Sequence, residues 1–146
     1  MPDVSPLLRA LYEGRSEDVE TLRRPDLDLF EAAALGDVAR LRALLDGGAE
    51  PSAYAPDGYT PLQLAAFFGH REAAELLIDR GADLTAVSKN EQETYALQAA
   101  VAGNHTEIAR LLLDAGAPPT ARNLASARQN GNEELERLLL ERGAES

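Results

Sequence analysis

Apolar residues recur along the chain in blocks, and the blocks themselves repeat. The clearest runs Thr60-Pro61-Leu62-Gln63-Leu64-Ala65-Ala66-Phe67-Phe68-Gly69-His70 and continues through Glu72 to Leu76-Leu77-Ile78-Asp79-Arg80-Gly81-Ala82-Asp83. Adding 35 to these numbers reaches Leu97-Gln98-Ala99-Ala100, His105 and Leu111-Leu112-Leu113-Asp114-Ala115-Gly116-Ala117. Subtracting 33 reaches Leu29, Ala32-Ala33, Gly36 and Leu44-Leu45-Asp46-Gly47-Gly48-Ala49. A further copy runs Leu124, Ala127, Gly131 and Leu138-Leu139-Leu140-Glu141-Arg142-Gly143-Ala144, and a degenerate one leads the chain with Leu8, Leu11, Val19 and Leu22 at matching offsets. A fixed period of this length is the mark of an architecture built from stacked units.

Each copy predicts two short helices and a turn. The first helix ends at Gly36, Gly69, Asn104 or Gly131, because glycine and asparagine tolerate the left-handed backbone that closes a helix. The second carries the leucine block and stops at Gly48, Gly81, Gly116 or Gly143. Pro61 suits a first helical turn, where its missing N–H would have no intrahelical partner. In the first helix of the third unit, Leu62, Ala65 and Ala66 share one face while Leu64, Phe67 and Phe68 point elsewhere. A helix apolar nearly all round must be covered on several sides, and alanines let its neighbours approach closely. One such hairpin buries too little to fold alone, so the units stand or fall together.

Composition supports a helical chain. Ala and Leu supply 26 and 24 of the 146 residues while Val and Ile together supply seven, and strands favour the β-branched types. The length suits one domain. The formal charge is −11 and the pI about 4.6, which argues against nucleic acid or an anionic membrane as partner. The absence of cysteine removes disulfides, thiolate metal sites and thiol nucleophiles. The opening Met1-Pro2-Asp3 lacks the basic and apolar segments of a secretory signal, and no apolar run approaches the roughly 20 residues of a membrane span. The expectation is a cytoplasmic protein.

The recurring residues resemble the ankyrin-repeat family. Its Thr-Pro-Leu-His-x-Ala pattern stands here as Thr60-Pro61-Leu62-Gln63-Leu64-Ala65, followed by Gly69-His70 and Gly81-Ala82-Asp83, and the resemblance covers residues 25 to 146. It implies an all-α solenoid of stacked antiparallel helix pairs with short β-hairpin loops, in a small bacterial protein of four to five repeats. The resemblance further implies a degenerate N-terminal cap over residues 1–24, repeats over 25–56, 57–91 and 92–118, and a C-terminal cap over 119–146. Two projecting fingers are expected at about 49–60 and 82–95. Only seven residues separate Gly116 from Leu124, so no finger is expected before the last pair. Gln63 and Gln98 replace the family's histidine, and Tyr95-Ala96 replaces Thr-Pro, which puts the turn before that helix in question.

Catalytic chemistry finds little support. His70 and His105 sit 35 apart at equivalent places in successive copies. Equivalent positions in stacked helices are about 10 Å apart, too far to share a metal ion, and the resembled family uses its Gly-His to bond neighbouring backbone. The carboxylates Glu72, Glu75, Asp79, Glu107, Asp114, Glu133, Glu134 and Glu136 lie beside Arg71, Arg80, Arg110 and Arg137 as a solvated face with ion pairs. No phosphate-cradling glycine loop or nucleophile elbow occurs. A small metal-dependent hydrolase using His70 or His105 is therefore the lesser alternative, and no cofactor is expected.

The aromatic residues point to binding. Of seven, Tyr54, Tyr59, Phe67 and Phe68 fall within fifteen residues. Tyr54 and Tyr59 map to the first finger, and Phe67 and Phe68 end the adjoining inner helix. The matching helix positions elsewhere are small or polar: Ala34 and Leu35, Ala102 and Gly103, Gln129 and Asn130. An aromatic cluster among small residues makes a shallow pocket where binding energy concentrates. The second finger, Val87 to Thr94, is polar and longer. The expected function is a non-enzymatic protein-binding module whose concave face and finger tips present Tyr54, Pro56, Asp57, Tyr59, Phe67, Phe68, Val87, Lys89, Glu91, Thr94, Ala102 and Gln129. Its acidic surround (Asp57, Glu91, Glu93) favours a basic or mixed protein surface. The chain is expected to be a monomer, with pairing through the aromatic face as the alternative.

Overall fold

A computed structural model describes residues 4–144. Among them the chain forms ten helices: α1 Pro6–Tyr12, α2 Ser16–Leu22, α3 Leu29–Leu35, α4 Val38–Asp46, α5 Pro61–Phe68, α6 Arg71–Asp79, α7 Ala96–Ala102, α8 Thr106–Asp114, α9 Ala121–Gln129 and α10 Glu133–Glu141. They pair as consecutive hairpins joined by tight turns. The odd-numbered helices then pack on one another as an inner row, and α4, α6, α8 and α10 as an outer row. The extreme termini of the two expected caps, residues 1–3 and 145–146, lie outside the described residues.

Residue size sets the spacing of the rows. Ala32, Ala33, Ala65, Ala66, Ala100 and Ala127 are fully buried along the inner helices, and a methyl group lets adjacent backbones come close. Leu41, Leu77, Leu112 and Leu139 fill the space between inner and outer helices. These side chains form one continuous apolar core from Leu7 to Ala144. A smaller patch of Leu8, Ala34 and Leu64, with Tyr59 and Phe68 against it, covers the finger side of the first three inner helices.

The helix ends follow the residues assigned to them. Gly36 and Gly69 cap α3 and α5 in the left-handed conformation. Asn104 adopts φ +62° just past α7, and Gly48, Gly81, Gly116 and Gly143 all take positive φ after the outer helices. Thr60 and Gln63 form a reciprocal capping box at the start of α5, as Thr120 and Asn123 do at α9. Tyr95 supplies no such bond to α7, yet the helix forms. Its hydroxyl lies 2.7 Å from Thr120 Oγ1, a contact with the next unit.

The fingers differ from the expected β-hairpins. No strand occurs among the described residues. The first finger closes through Ala55 N–H donating to Tyr59 O at 2.8 Å, and the second through Ser88 N–H donating to Thr94 O at 2.6 Å. The other backbone bonds within the finger tips, Gly58 N–H to Ala55 O and Glu93 N–H to Asn90 O, are local, so each finger is a turn rather than a ladder. The fingers instead bond to each other, with Lys89 N–H donating to Gly58 O at 2.8 Å and Asn90 Nδ2 donating to Asp57 O at 3.0 Å.

Candidate binding groove

The groove lies beside the fingers and runs along the inner helices, from Gln63 and Gln98 near their starts to Phe67 and Ala102 at their ends. Its base is held by Gln63, which is 2 % exposed. Gln63 Oε1 accepts from Thr60 N–H at 3.0 Å, while Nε2 donates to the carbonyls of Ala86 at 2.9 Å and Thr94 at 3.2 Å. One amide thus joins the helix start to both sides of the second finger. Gln98 continues the column: it donates to Ser126 Oγ at 2.9 Å and accepts from Asn123 Nδ2 at 2.7 Å. The amides at the two positions where the resembled family has histidine therefore bridge successive units.

Glu31 occupies the same helical position in α3 and is fully buried. It accepts from Asp28 N–H at 3.0 Å and from both terminal nitrogens of Arg24, at 2.6 and 3.1 Å. This bidentate pairing is what allows a carboxylate to stay at a site the three following units give to an amide.

The aromatic wall includes a residue the repeat pattern did not single out. Tyr12, the last residue of α1, lies with its ring 5.9 Å from that of Phe68 at 21°, and 6.3 Å from that of Tyr59 at 57°. Phe67 and Phe68 meet edge to face at 5.1 Å. The Tyr12 hydroxyl donates to Asp57 Oδ2. Burial and the Asp57 carboxylate push the Tyr12 hydroxyl well above the usual phenol range, and burial and Asp57 also raise Tyr59. The signal for Tyr12 was Ser5-Pro6-Leu7, which copies Thr60-Pro61-Leu62 and puts Tyr12 in register with Phe67.

Tyr54 does not join this wall. Its hydroxyl donates to Val87 O at 3.0 Å, and Lys89 Nζ stands 4.2 Å from its ring centroid. Tyr54, Val87 and Lys89 therefore tie the fingers together, and the aromatic four expected as one cluster divide between two jobs. Pro56 and Glu91 are exposed on the fingers, and Thr94 is buried as a finger-closing residue. Gln129, exposed at the end of α9, does not line the groove.

The groove itself is a cavity of about 330 Å³. Tyr12, Tyr59, Leu64 and Phe67 form one side, and Ala99 and Ala102 the other. Phe67 is 48 % exposed, so a large apolar surface faces solvent across from small residues. Gln92 and Arg122 stand at the polar end. The Arg122 guanidinium donates to Glu93 O at 3.1 Å and Gln92 O at 3.3 Å. Nothing in the repeat pattern marked Arg122.

The histidines serve the stack. His105 Nε2 lies 2.9 Å from Phe67 O, and His70 stands equivalently against the backbone of Ala34. Burial pulls His70 below the usual imidazole range, with His105 adding to the shift and the Ala34 bond opposing it. Among the described residues no group of three or more His, Asp or Glu is placed to hold a metal ion. On the outer helices Arg80 pairs with Asp46 at 2.7 Å, Arg110 with Glu134 at 3.1 Å and Arg142 with Asp114 at 2.5 Å. These exposed pairs link neighbouring units, each contributing about 0–1 kcal/mol. No helix among the described residues is long and apolar enough to cross a membrane.

A stack of helix pairs with a finger-framed groove defines a repeat protein of the solenoid class. The family model described as ankyrin repeats, in three copies, matches residues 29–123, and the chain belongs to that family. It is 33% identical over 85 residues to protein phosphatase 1 regulatory subunit 12A of Mus musculus, covering 58% of this chain and 8% of that protein. It is 38% identical over 82 residues to a probable E3 ubiquitin-protein ligase of Oryza sativa subsp. japonica, covering 53% of this chain and 18% of that one. An ankyrin repeat-containing protein of Schizosaccharomyces pombe is 33% identical over 57 residues, 39% of this chain and 28% of its own length. The similarity thus spans less than a third of any of these relatives. Ankyrin repeats are generally protein–protein interaction modules and typically not enzymes.

Proposed function

We propose that the chain is a non-enzymatic docking module that takes a protein partner across the groove and the finger tips. The observation that carries this reading is an exposed Phe67 facing Ala99 and Ala102 across a cavity held between interlocked fingers. The fingers bond to each other and to Gln63 before any partner arrives, so little ordering entropy is lost on docking. Tyr59 and Phe67 supply the apolar anchor. Asp57, Glu91 and Glu93 lie around it in a chain of charge −11, which steers a partner of basic or mixed surface toward this face. The module works as a monomer.

The test is a comparison of the wild-type chain with a Tyr59→Ala, Phe67→Ala double variant. Capture of the natural partner from lysate, identified by mass spectrometry, should fall at least tenfold, as hot-spot anchors of about 2 kcal/mol require. The melting temperature should move only by a few degrees. Undiminished capture removes the groove as the docking site, and light scattering over a concentration series should return the monomer mass.

A further inference from the structure

The groove's polar groups divide into those the protein has already satisfied and those it has not. Gln63 and Gln98 place their amides entirely in bonds to Thr60, Ala86, Thr94, Ser126 and Asn123. The Tyr12 hydroxyl is held by Asp57. These groups shape the cavity without being free to read a ligand. The Thr94 hydroxyl turns to Tyr95 O at 3.4 Å and the Tyr59 hydroxyl lies beside Asn90, which leaves two lining side chains with amide or guanidinium groups to spare. Gln92 makes no side-chain hydrogen bond among the described residues, and Arg122 commits one N–H from each terminal nitrogen to finger carbonyls. A guanidinium has five N–H donors, so most of that fork remains, including Nε.

Arg122 is also the one charged side chain lining the cavity. Among the described residues it has no carboxylate partner, which is equally true of Arg9, Arg40, Arg42 and Arg137, but of these five arginines it alone lines the cavity. In a chain with 25 acidic residues against 14 basic ones, a cation left unpaired beside an apolar cavity is a local reversal of the field. Two backbone carbonyls hold it in place, so it is oriented before anything binds.

We propose that this groove reads a short peptide segment in which an apolar side chain is followed by a carboxylate. The apolar group sits between Phe67 and Ala102, and the carboxylate takes the free edge of Arg122, with the Gln92 amide beside it. The inference rests on the docking reading above and makes it specific: the partner's surface is mixed, its basic parts drawn by the acidic surround and its anchor acidic at one point. The volume supports a peptide side chain or two, since about 330 Å³ stands at the small end of the roughly 300–1,000 Å³ of ligand pockets. Bidentate donation from arginine gives such a carboxylate both energy and direction.

The experiment uses fluorescein-labelled, end-blocked decapeptides of glycine and serine with a central Leu-Glu or Phe-Glu pair, against matched Leu-Gln and Leu-Lys controls. Fluorescence anisotropy on the full chain should show the Glu peptides binding roughly tenfold more tightly than the Gln ones, the scale of one charge-assisted pair. That preference should weaken with added salt, vanish in Arg122→Gln and survive in Arg122→Lys. Amide shifts in NMR should fall on Phe67, Ala102 and Arg122. Equal binding of Glu and Gln peptides, binding of none, or a preference that persists in Arg122→Gln overturns the proposal. So does free 4-methylpentanoate binding as tightly as the peptides, which would mark a small-molecule site. If Phe67→Ala weakens Glu and Gln peptides alike in the absence of any charge preference, the docking reading stands and the carboxylate inference falls. If the charge preference holds but partner capture survives Tyr59→Ala, Phe67→Ala, the reverse is true.

Discussion

The Tyr12 ring stacks on that of Phe68, 5.9 Å away, across the intervening unit that contributes the buried Ala34. A large aromatic at the end of α3 would keep the two apart, so the smallness of Ala34 is what lets the first and third inner helices share a wall. The same tyrosine reaches into the first finger and donates to Asp57. The leading helix pair is thereby part of the groove as well as a cover for the core.

Replacing Tyr12 by Phe keeps the stacking and removes the hydroxyl. Asp57 Oδ1 is buried and has no hydrogen-bond partner among the described residues, so losing the bond to Oδ2 leaves the carboxylate with none from a side chain. The expected cost is about 1–3 kcal/mol at neutral pH, measured by urea unfolding. The pH dependence adds a signature. Because the folded state holds the Tyr12 hydroxyl above its ordinary value, its contribution is complete below the unfolded phenol value of about 10 and declines as pH rises beyond it. The wild type should lose stability more steeply than Tyr12→Phe above that pH.

Gly58 is where the first finger touches the second, its carbonyl accepting from Lys89 N–H. It stands at φ +95°, and a Cβ there would run into the carbonyl group of Lys89, whose carbon would lie 2.7 Å away. Backbone cannot rotate aside as a side chain can. Gly58→Ala should therefore cost about 2 kcal/mol or more, from left-handed strain together with that collision. The Lys89 amide, which donates to Gly58 O, should show much faster hydrogen exchange, and docking should weaken with it. Unchanged exchange at Lys89 would mean that the fingers are not held through this contact.

The stack was legible in the sequence because its determinants are local and repeated. The glycines that close most of the helices, the leucine blocks and Thr60-Pro61 all act within one or two turns, so period alone locates the helices. The groove was only half legible. Phe67, Tyr59 and Ala102 stood out against their equivalents in other units and do line it. Tyr54 did not follow, because its neighbour is decided by the second finger: Val87 O and Lys89 draw it away from the wall. Arg122 was invisible for the opposite reason, since nothing about an arginine in the first turn of α9 announces which carbonyls it will reach. Contacts between units depend on how far each helix is rotated, and no single repeat encodes that.

His70 offers a pH test of how the units are joined. Gly36 gives it room: a Cβ at that glycine would fall 2.5 Å from His70 Nδ1, so the imidazole lies directly on the preceding turn. Burial there disfavours the charged ring, the proximity of His105 does so further, and the bond to Ala34 only partly offsets both. The folded value is thus below the unfolded one of about 6.5. Between the two the unfolded chain binds more protons, so stability is complete above about pH 6.5 and falls as the solution is acidified through that value. The carboxylates lose their pairings only at lower pH, which leaves the interval just below about 6.5 to His70. Urea midpoints across that interval should decline in the wild type and run flatter in His70→Asn, whose amide can still donate to a carbonyl but does not titrate. An NMR titration should show the His70 ring protonating at lower pH than a histidine in a short peptide. A His70 ring that titrates at or above the peptide value would mean the imidazole is not enclosed between the second and third units, and that their packing differs from the one described.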